Sequence, residues 1–163
     1  MRTLRTGFTL LEVAVAMTVI AILATIAIPS ITNSIVRKQI VEAVTLADLA
    51  KNAVALAWSG AQVMPANNSA ALLPAPQKIV NNYISAVTVQ DGAINITFGN
   101  SVNSVITGKI LTLRPAVVTD TPVVPVAWVC AQAPVPGGMT VMGVDHTNIP
   151  LSMLPYNCMA AGK

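Results

Sequence analysis

The sequence predicts an α+β protein: a long N-terminal helix followed by a group of short strands. Three observations predict it. From Phe8 to Ile28 there are 21 consecutive residues of which only Glu12 is charged. After Pro29 an amphipathic pattern of helical period resumes and runs to about residue 58. Beyond residue 83 the period falls to two, with Asp91-Gly92 set between two apolar runs.

The apolar run would span roughly 31 Å as a helix, close to the ~30 Å hydrocarbon thickness of a bilayer. Arg2 and Arg5 precede it, and few positive charges follow soon after, which places the N-terminus in the cytoplasm. At the end of the run, "ATIAIPS" offers Ala27 and Ser30 but no clear A-x-A of the kind a secretory signal carries. The better small-residue cleavage site is Gly7, before the run. Cutting there removes the basic leader and keeps the anchor.

In "SITNSIVRKQIVEAVTLADLAKNAVALAWSG", Ile40, Val44, Ala47 and Lys51 recur at helical spacing, with Ile35, Leu46, Leu49 and Ala53 following more loosely. Gly60 is the expected stop near the C-cap. The expectation is one helix over about 8–58, bent or loosened at Pro29, which lacks a backbone donor. Residues 61–83 carry Pro65, Pro74 and Pro76 and read as a connecting loop with a short helical turn over Ser69–Leu73.

"ISAVTVQDGAINITFG" reads as a hairpin turning at Asp91-Gly92. "GKILTLRP" reads as a third strand stopped by Pro115, with Lys109 and Arg114 on opposite faces. "VVPVAWVCA" reads as a fourth, starting at or edged by Pro125. The tail after it is rich in turn residues and reads as a loop with at most one short strand.

Composition narrows the function classes. The chain is 54% hydrophobic and 9% charged, against about 25% charged in ordinary soluble domains, which fits a membrane-inserted element joined to a polar domain. Net charge is +3, but the basic residues are scattered and Arg37-Lys38 is the longest basic run. No phosphate-binding stripe results, so nucleic acid is a partner that the charge pattern does not support. His146 is the only histidine. Beside Asp145 in a Gly- and Pro-rich loop, and without a nucleophile motif, it makes no catalytic set, and no enzyme, cofactor or metal site is expected. Asn67-Asn68-Ser69 and Asn95-Ile96-Thr97 match the glycosylation sequon and are read as chance matches. The two cysteines, Cys130 and Cys158, fit neither CxxC nor CxxCH. In an exported domain they form one disulfide; in a cytosolic one they stay as buried thiols.

"TGFTLLEV", followed by an uncharged run to "AIAIP", resembles the N-terminus of type IV pilins, and "GKILTLRP", "AWVC" and "LPYNC" resemble the sheet and disulfide edges of proteobacterial major pilins. The resemblance implies an α+β fold. A long N-terminal α-helix, with an apolar N-terminal half and a kink or melt near Pro29, packs on a four-stranded antiparallel sheet with a C-terminal disulfide-bonded loop. It divides the chain into a leader (1–7), a transmembrane or filament-core half-helix (8–28), an amphipathic half-helix (29–60), the connecting loop (61–83) and a globular β domain (84–163) closed by Cys130–Cys158.

The resemblance also implies a life cycle. A membrane prepilin peptidase cuts between Gly7 and Phe8 and N-methylates Phe8. The precursor sits in the inner membrane, and the assembly machinery builds it into a surface pilus whose main partner is the chain itself. Adhesion, twitching motility and DNA uptake are the family's roles. Glu12 is implied to meet the N-terminal amine of a neighbouring subunit. The physical chemistry agrees, because an unpaired carboxylate in hydrocarbon is costly and an ammonium partner offsets the cost; the bland alternative is a snorkelling glutamate. Pro29 marks the segment that unwinds on packing. Ala21, where many members carry Gly, favours the helix and departs from the pattern, as do Ile31 and Ser34 where Tyr is common. Two other functions compete: a pseudopilin of a type II secretion system, and a minor pilin with a binding role. Major pseudopilins commonly hold calcium in an acidic C-terminal loop, and Asp145 alone cannot form such a cage.

Overall fold

The computed structural model describes residues 7–160, apart from the side chains of 26–30. The chain forms two compact units, residues 1–35 and 36–163. The leader residues 1–6 lie outside the described part. So does the side chain of Pro29, although residues 26–30 are helical.

The helical region differs from a single uninterrupted rod. α1 runs Leu10–Val44 and α2 runs Asp48–Ala61, with a 3-10 turn at Thr45–Ala47 between them. The helix runs through Pro29, where a bend or loosening was expected, and its α-helical pattern is interrupted only at Thr45–Ala47. At the turn, the Thr45 hydroxyl donates to the Glu42 carbonyl (2.7 Å) and Asp48 N–H donates to the Thr45 carbonyl. A threonine bonding back to its own helix competes for the ordinary ladder. The flanking residues Val44 and Asp48 keep right-handed helical dihedrals. The stop is also displaced from Gly60. Gln62 takes the left-handed conformation (φ 53°) and donates to the Trp58 carbonyl (2.9 Å), closing the helix one residue after Ala61.

In the second unit, Val36, Ile40, Ala43, Ala47, Ala50, Val54 and Trp58 are buried. Their 3-4 spacing forms one stripe, of which the sequence pattern had picked out Ile40 and Ala47. The stripe joins one core with Ile84, Val87, Ile94, Ile96, Phe98, Leu111 and Leu113 of the sheet.

The sheet runs β1 (Ile84–Gln90), β2 (Ala93–Phe98), β3 (Ile110–Val117), β4 (Ala127–Cys130) in spatial order, all antiparallel neighbours, with β5 (Thr140–Val141) pairing β3. The β1–β2 turn is as expected. Asp91 (φ 48°) and Gly92 (φ 81°) both have positive φ, the requirement of a type I′ hairpin. The four expected strands become five because the tail adds β5.

Pro115 does not stop β3. It pairs with Trp128 of β4, and the strand continues to Val117. Its carbonyl accepts from Met142 N–H (2.9 Å). The position falls where the neighbour on that edge changes from β2, last paired at Leu113, to β5, first paired at Ala116. A missing donor is tolerated at such a junction. Lys109 lies before β3 rather than on it, while Arg114 donates to the Ala131 carbonyl (2.9 Å).

The tail is a loop with one short strand, as expected, and it is hydrogen-bonded to the sheet along its course. Asn148 N–H donates to the Ile110 carbonyl (3.1 Å), and Asn148 Oδ1 accepts from Ile110 N–H (2.7 Å). Thr112 N–H donates to Thr147 Oγ1 (3.0 Å), and Thr112 Oγ1 accepts from His146 N–H (3.0 Å). Thr112 also donates to Asn95 Oδ1 (2.8 Å), and both residues are buried. Asn95 is therefore no exposed sequon. Gly143 (φ 78°) passes over the hairpin, where an added Cβ would come within 2.6 Å of the Ala93 Cβ. Ile149 and Leu154 are buried in the core, and Cys158 is bonded to Cys130.

The short turn expected at Ser69–Leu73 is a single helical turn beginning slightly earlier, where Ala71 N–H donates to the Asn67 carbonyl (3.1 Å) and Leu72 N–H to the Ser69 carbonyl (3.0 Å). Asn68 holds it to the sheet edge. Its amide donates to the carbonyls of Pro74 (3.0 Å) and Val87 (2.9 Å), and its Oδ1 accepts from Val89 N–H (2.7 Å). The side chain substitutes for a strand neighbour of β1. Asn68→Ala is expected to destabilise the protein by about 2–4 kcal/mol, since it strands a buried donor and acceptor of β1. Chemical denaturation of the purified chain measures this, and a change below about 1 kcal/mol would refute it.

Candidate functional site

The side chains expected to carry function at the N-terminus lie within about one helical turn. Thr9 precedes α1 and Glu12 stands in its first turn. Glu12 N–H donates to Thr9 Oγ1 (3.2 Å), and a Glu12 carboxylate oxygen accepts from Thr9 N–H and from the Thr9 hydroxyl (3.4 Å each). This reciprocal arrangement is a capping box. It satisfies N–H groups that the first helical turn leaves without partners, and it sets a negative charge at the positive end of the helix dipole. The signal was present in the sequence as T-x-x-E before an apolar run. The reading of Glu12 as a lone buried charge passed over it.

The surface around this cap is apolar and uncovered. Phe8 is 84% exposed and Leu10 89%, and Leu11, Met17, Ile20, Ile22 and Leu23 are all exposed. The hydroxyls within it are already satisfied: Thr18 donates to the Ala14 carbonyl (2.8 Å) and Thr25 to the Ile22 carbonyl (2.7 Å). Such side chains can enter an apolar environment without stranding a donor. Over the described side chains of residues 8–25, Glu12 is the one charged group. Among the described residues no helix is long and apolar enough to cross a membrane; the expected span over 8–28 includes residues 26–28, whose side chains are outside the description. Gly7 has a free surround, with no heavy atom within 4 Å of an added Cβ. The folded chain itself places no steric demand for glycine there.

A second cluster lies in the other unit around the disulfide. Arg37 donates through Nη2 to the Ser152 carbonyl (2.7 Å), and its guanidinium sits 4.6 Å from the centroid of the Tyr156 ring. One helix residue thus grips the tail at two points by a charge-assisted hydrogen bond and a cation–π contact. Sequence reasoning noted Arg37 only as a basic position. Asp145, by contrast, accepts from Thr147 N–H (2.9 Å) and so shapes its own loop, while His146 is exposed.

The family model for pilin, a bacterial filament protein, matches residues 36–159. The chain belongs to the pilin family. A second family model, the prokaryotic N-terminal methylation motif, matches residues 2–28 and spans Gly7, Phe8 and Glu12. The pilin chain is 34% identical over 169 residues to a type IV major pilin protein PilE1 of Neisseria gonorrhoeae, covering 100% of this chain and 92% of that one. It is 32% identical over 133 residues to a fimbrial protein of Neisseria meningitidis serogroup B (81% and 76% covered), and 36% identical over 111 residues to the fimbrial protein EcpC of Eikenella corrodens (66% and 72% covered). As a pilin it is a structural protein, a subunit of a self-assembling pilus at the cell surface.

Proposed function

We propose that the chain is a prepilin, cut between Gly7 and Phe8 by a prepilin peptidase and N-methylated on Phe8. Residues 8–28 hold it in the inner membrane until the assembly machinery draws it into the pilus. The observation that carries this reading is the N-terminal turn itself: an unencumbered Gly7, an exposed Phe8 and a single carboxylate, all inside the segment matched by the methylation motif. In the fibre, the Phe8 amine of one subunit takes the Glu12 carboxylate of another. A capping carboxylate uses only part of its acceptor capacity, so Glu12 can cap its own helix and accept a second, charged donor. Pro29 marks the place where helix unwinding accommodates packing.

The test is the N-terminus of the protein in sheared, pelleted filaments. The expected peptide begins at methylated Phe8. A chain beginning at Met1 in that fraction would overturn the processing step, and a processed chain confined to the cell envelope would replace the pilus subunit with a pseudopilin.

A further inference from the structure

Both tryptophans of the chain, Trp58 in the last turn of α2 and Trp128 on β4, line one cavity. It holds about 400 Å³ between α2 and the turn over residues 122–126. That turn is closed by Val124 N–H donating to the Thr121 carbonyl (3.1 Å), and Pro122 and Pro125 restrict its backbone. One wall is thus fixed before anything enters. The volume and the aromatic lining are those of a small-molecule site, in which a few polar groups set the specificity.

The polar groups define the ligand. Lys51 uses one ammonium donor on Asp48 Oδ1 (2.9 Å) and keeps the others, and the pair leaves the rim without net charge. The Ser59 hydroxyl donates to the Leu56 carbonyl (3.0 Å), so its oxygen is left to accept. The exposed Asn52 offers an amide donor and an acceptor. Trp58 is 5% exposed, and its indole N–H has no hydrogen-bond partner among the described residues. Buried donors are almost always paired, so this wall lacks an acceptor oxygen. An uncharged ligand with donors and acceptors in one molecule and an apolar face for Trp128 meets all of these demands. An anion would have to take Lys51 from Asp48, and a cation would face the ammonium. A hydrocarbon would cover Asn52 and Ser59 without pairing them.

We infer that the cavity binds a neutral pyranose. Its ring C–H groups lie against the half-buried Trp128 indole, whose face carries partial negative charge. Its hydroxyls donate to Ser59 and accept from Lys51 and Asn52, and a water beneath them accepts from the covered Trp58 N–H. Neither cleavage at Gly7 nor fibre assembly enters into this site, and the family membership of the chain stands without it.

Tryptophan emission reads the site directly, because the chain has no indole elsewhere. The full-length chain is purified in a detergent without a sugar headgroup. It is titrated with glucose, galactose, mannose and N-acetylglucosamine, each as the free sugar and as the methyl glycoside. At least one is expected to shift the emission saturably, with a dissociation constant of about 1 mM for a single ring. No saturable shift from any of them up to about 100 mM would overturn the proposal. A shift from methyl glycosides, whose anomeric oxygen is capped as in a chain, assigns the end of a glycan; a shift from free sugars alone assigns a soluble sugar. Methyl glucuronide and glucosamine are expected to bind at least about tenfold more weakly than their neutral counterparts, and tighter binding of either would overturn the neutral class. Asn52 is exposed and outside the core, so Asn52→Ala is expected to leave thermal unfolding unchanged. It is expected to weaken the sugar at least about tenfold through the loss of two hydrogen bonds. Unchanged affinity in Asn52→Ala would place the sugar elsewhere and overturn the site.

Discussion

Glu12→Gln is expected to leave the chain folded and processed at Gly7 while reducing sheared filaments by about a hundredfold or more. The substitution separates two roles that Glu12→Ala removes together. A glutamine at this position keeps an oxygen able to accept from Thr9 N–H, and glutamine serves in capping boxes as glutamate does. The start of α1 should therefore survive. What disappears is the negative charge that would meet the Phe8 amine of a neighbouring subunit. Breaking one side of a buried ion pair costs about 3–5 kcal/mol, because it leaves the other charge unpaired in apolar surroundings. At about 1.4 kcal/mol per factor of ten, that is on the order of 10² to 10³ at each subunit contact. The measurement is filament yield from cells expressing only the variant, with N-terminal mass confirming processing. Wild-type yield from Glu12→Gln would mean that capping is the whole role of the residue. Glu12→Ala should lose fibres as well, with about a further 1 kcal/mol of helix-start stability removed with the cap.

The second large effect is expected from the double replacement Cys130→Ala, Cys158→Ala. The bond closes a loop of 29 residues counting both cysteines, from a sequence separation of 28. A loop of that size corresponds to about 3.5 kcal/mol in the chain-entropy model. In a domain of this size that lowers the unfolding midpoint by on the order of 10 °C. The loss should be local before it is global. Tail residues 142–148 are held to β3 chiefly by hydrogen bonds at Ile110, Thr112 and Pro115, with Ile149 and Leu154 as their buried anchors and Arg37 gripping Ser152. The β1–β2 hairpin is closed by its own cross-strand pairs and turn, which none of these hydrogen bonds completes. Limited proteolysis and amide exchange are expected to show faster opening in residues 131–157 while the hairpin stays protected. Unchanged cleavage in that segment would show that the tail is held by its own packing rather than by the disulfide.

Several features of the fold were legible because their causes are local. Asp91-Gly92 encodes a turn through two residues that tolerate positive φ, and the strands on either side needed no further information. Two cysteines in an exported domain leave one pairing. The N-terminal segment carries its meaning in a contiguous stretch, from Gly7 through Glu12 to the end of the apolar run. Even the capping box was there to be read, since Thr9 and Glu12 are three residues apart.

The features that sequence reasoning missed depend on contacts between distant residues. Pro115 ends a strand by local rules, yet here β5 and β4 on its two sides carry the strand past it. Gly60 is the better local stop, but the helix continues to Ala61 and closes on Gln62. Thr112 and Asn95 alternate with apolar neighbours and so read as a solvent face; the tail covers them because its backbone and Thr147 complete their hydrogen bonds. Asn68 reads as a loop residue until β1, about twenty positions later, presents the groups it satisfies. The family, the apolar helix with its one charge, the hairpin and the cysteine pair could all be read from the chain alone, because each arises from neighbouring residues or simple counting. How far each strand runs, what lies over the second face of the sheet and which polar side chains are buried were settled by the folded molecule, because those outcomes depend on which distant groups arrive to satisfy them.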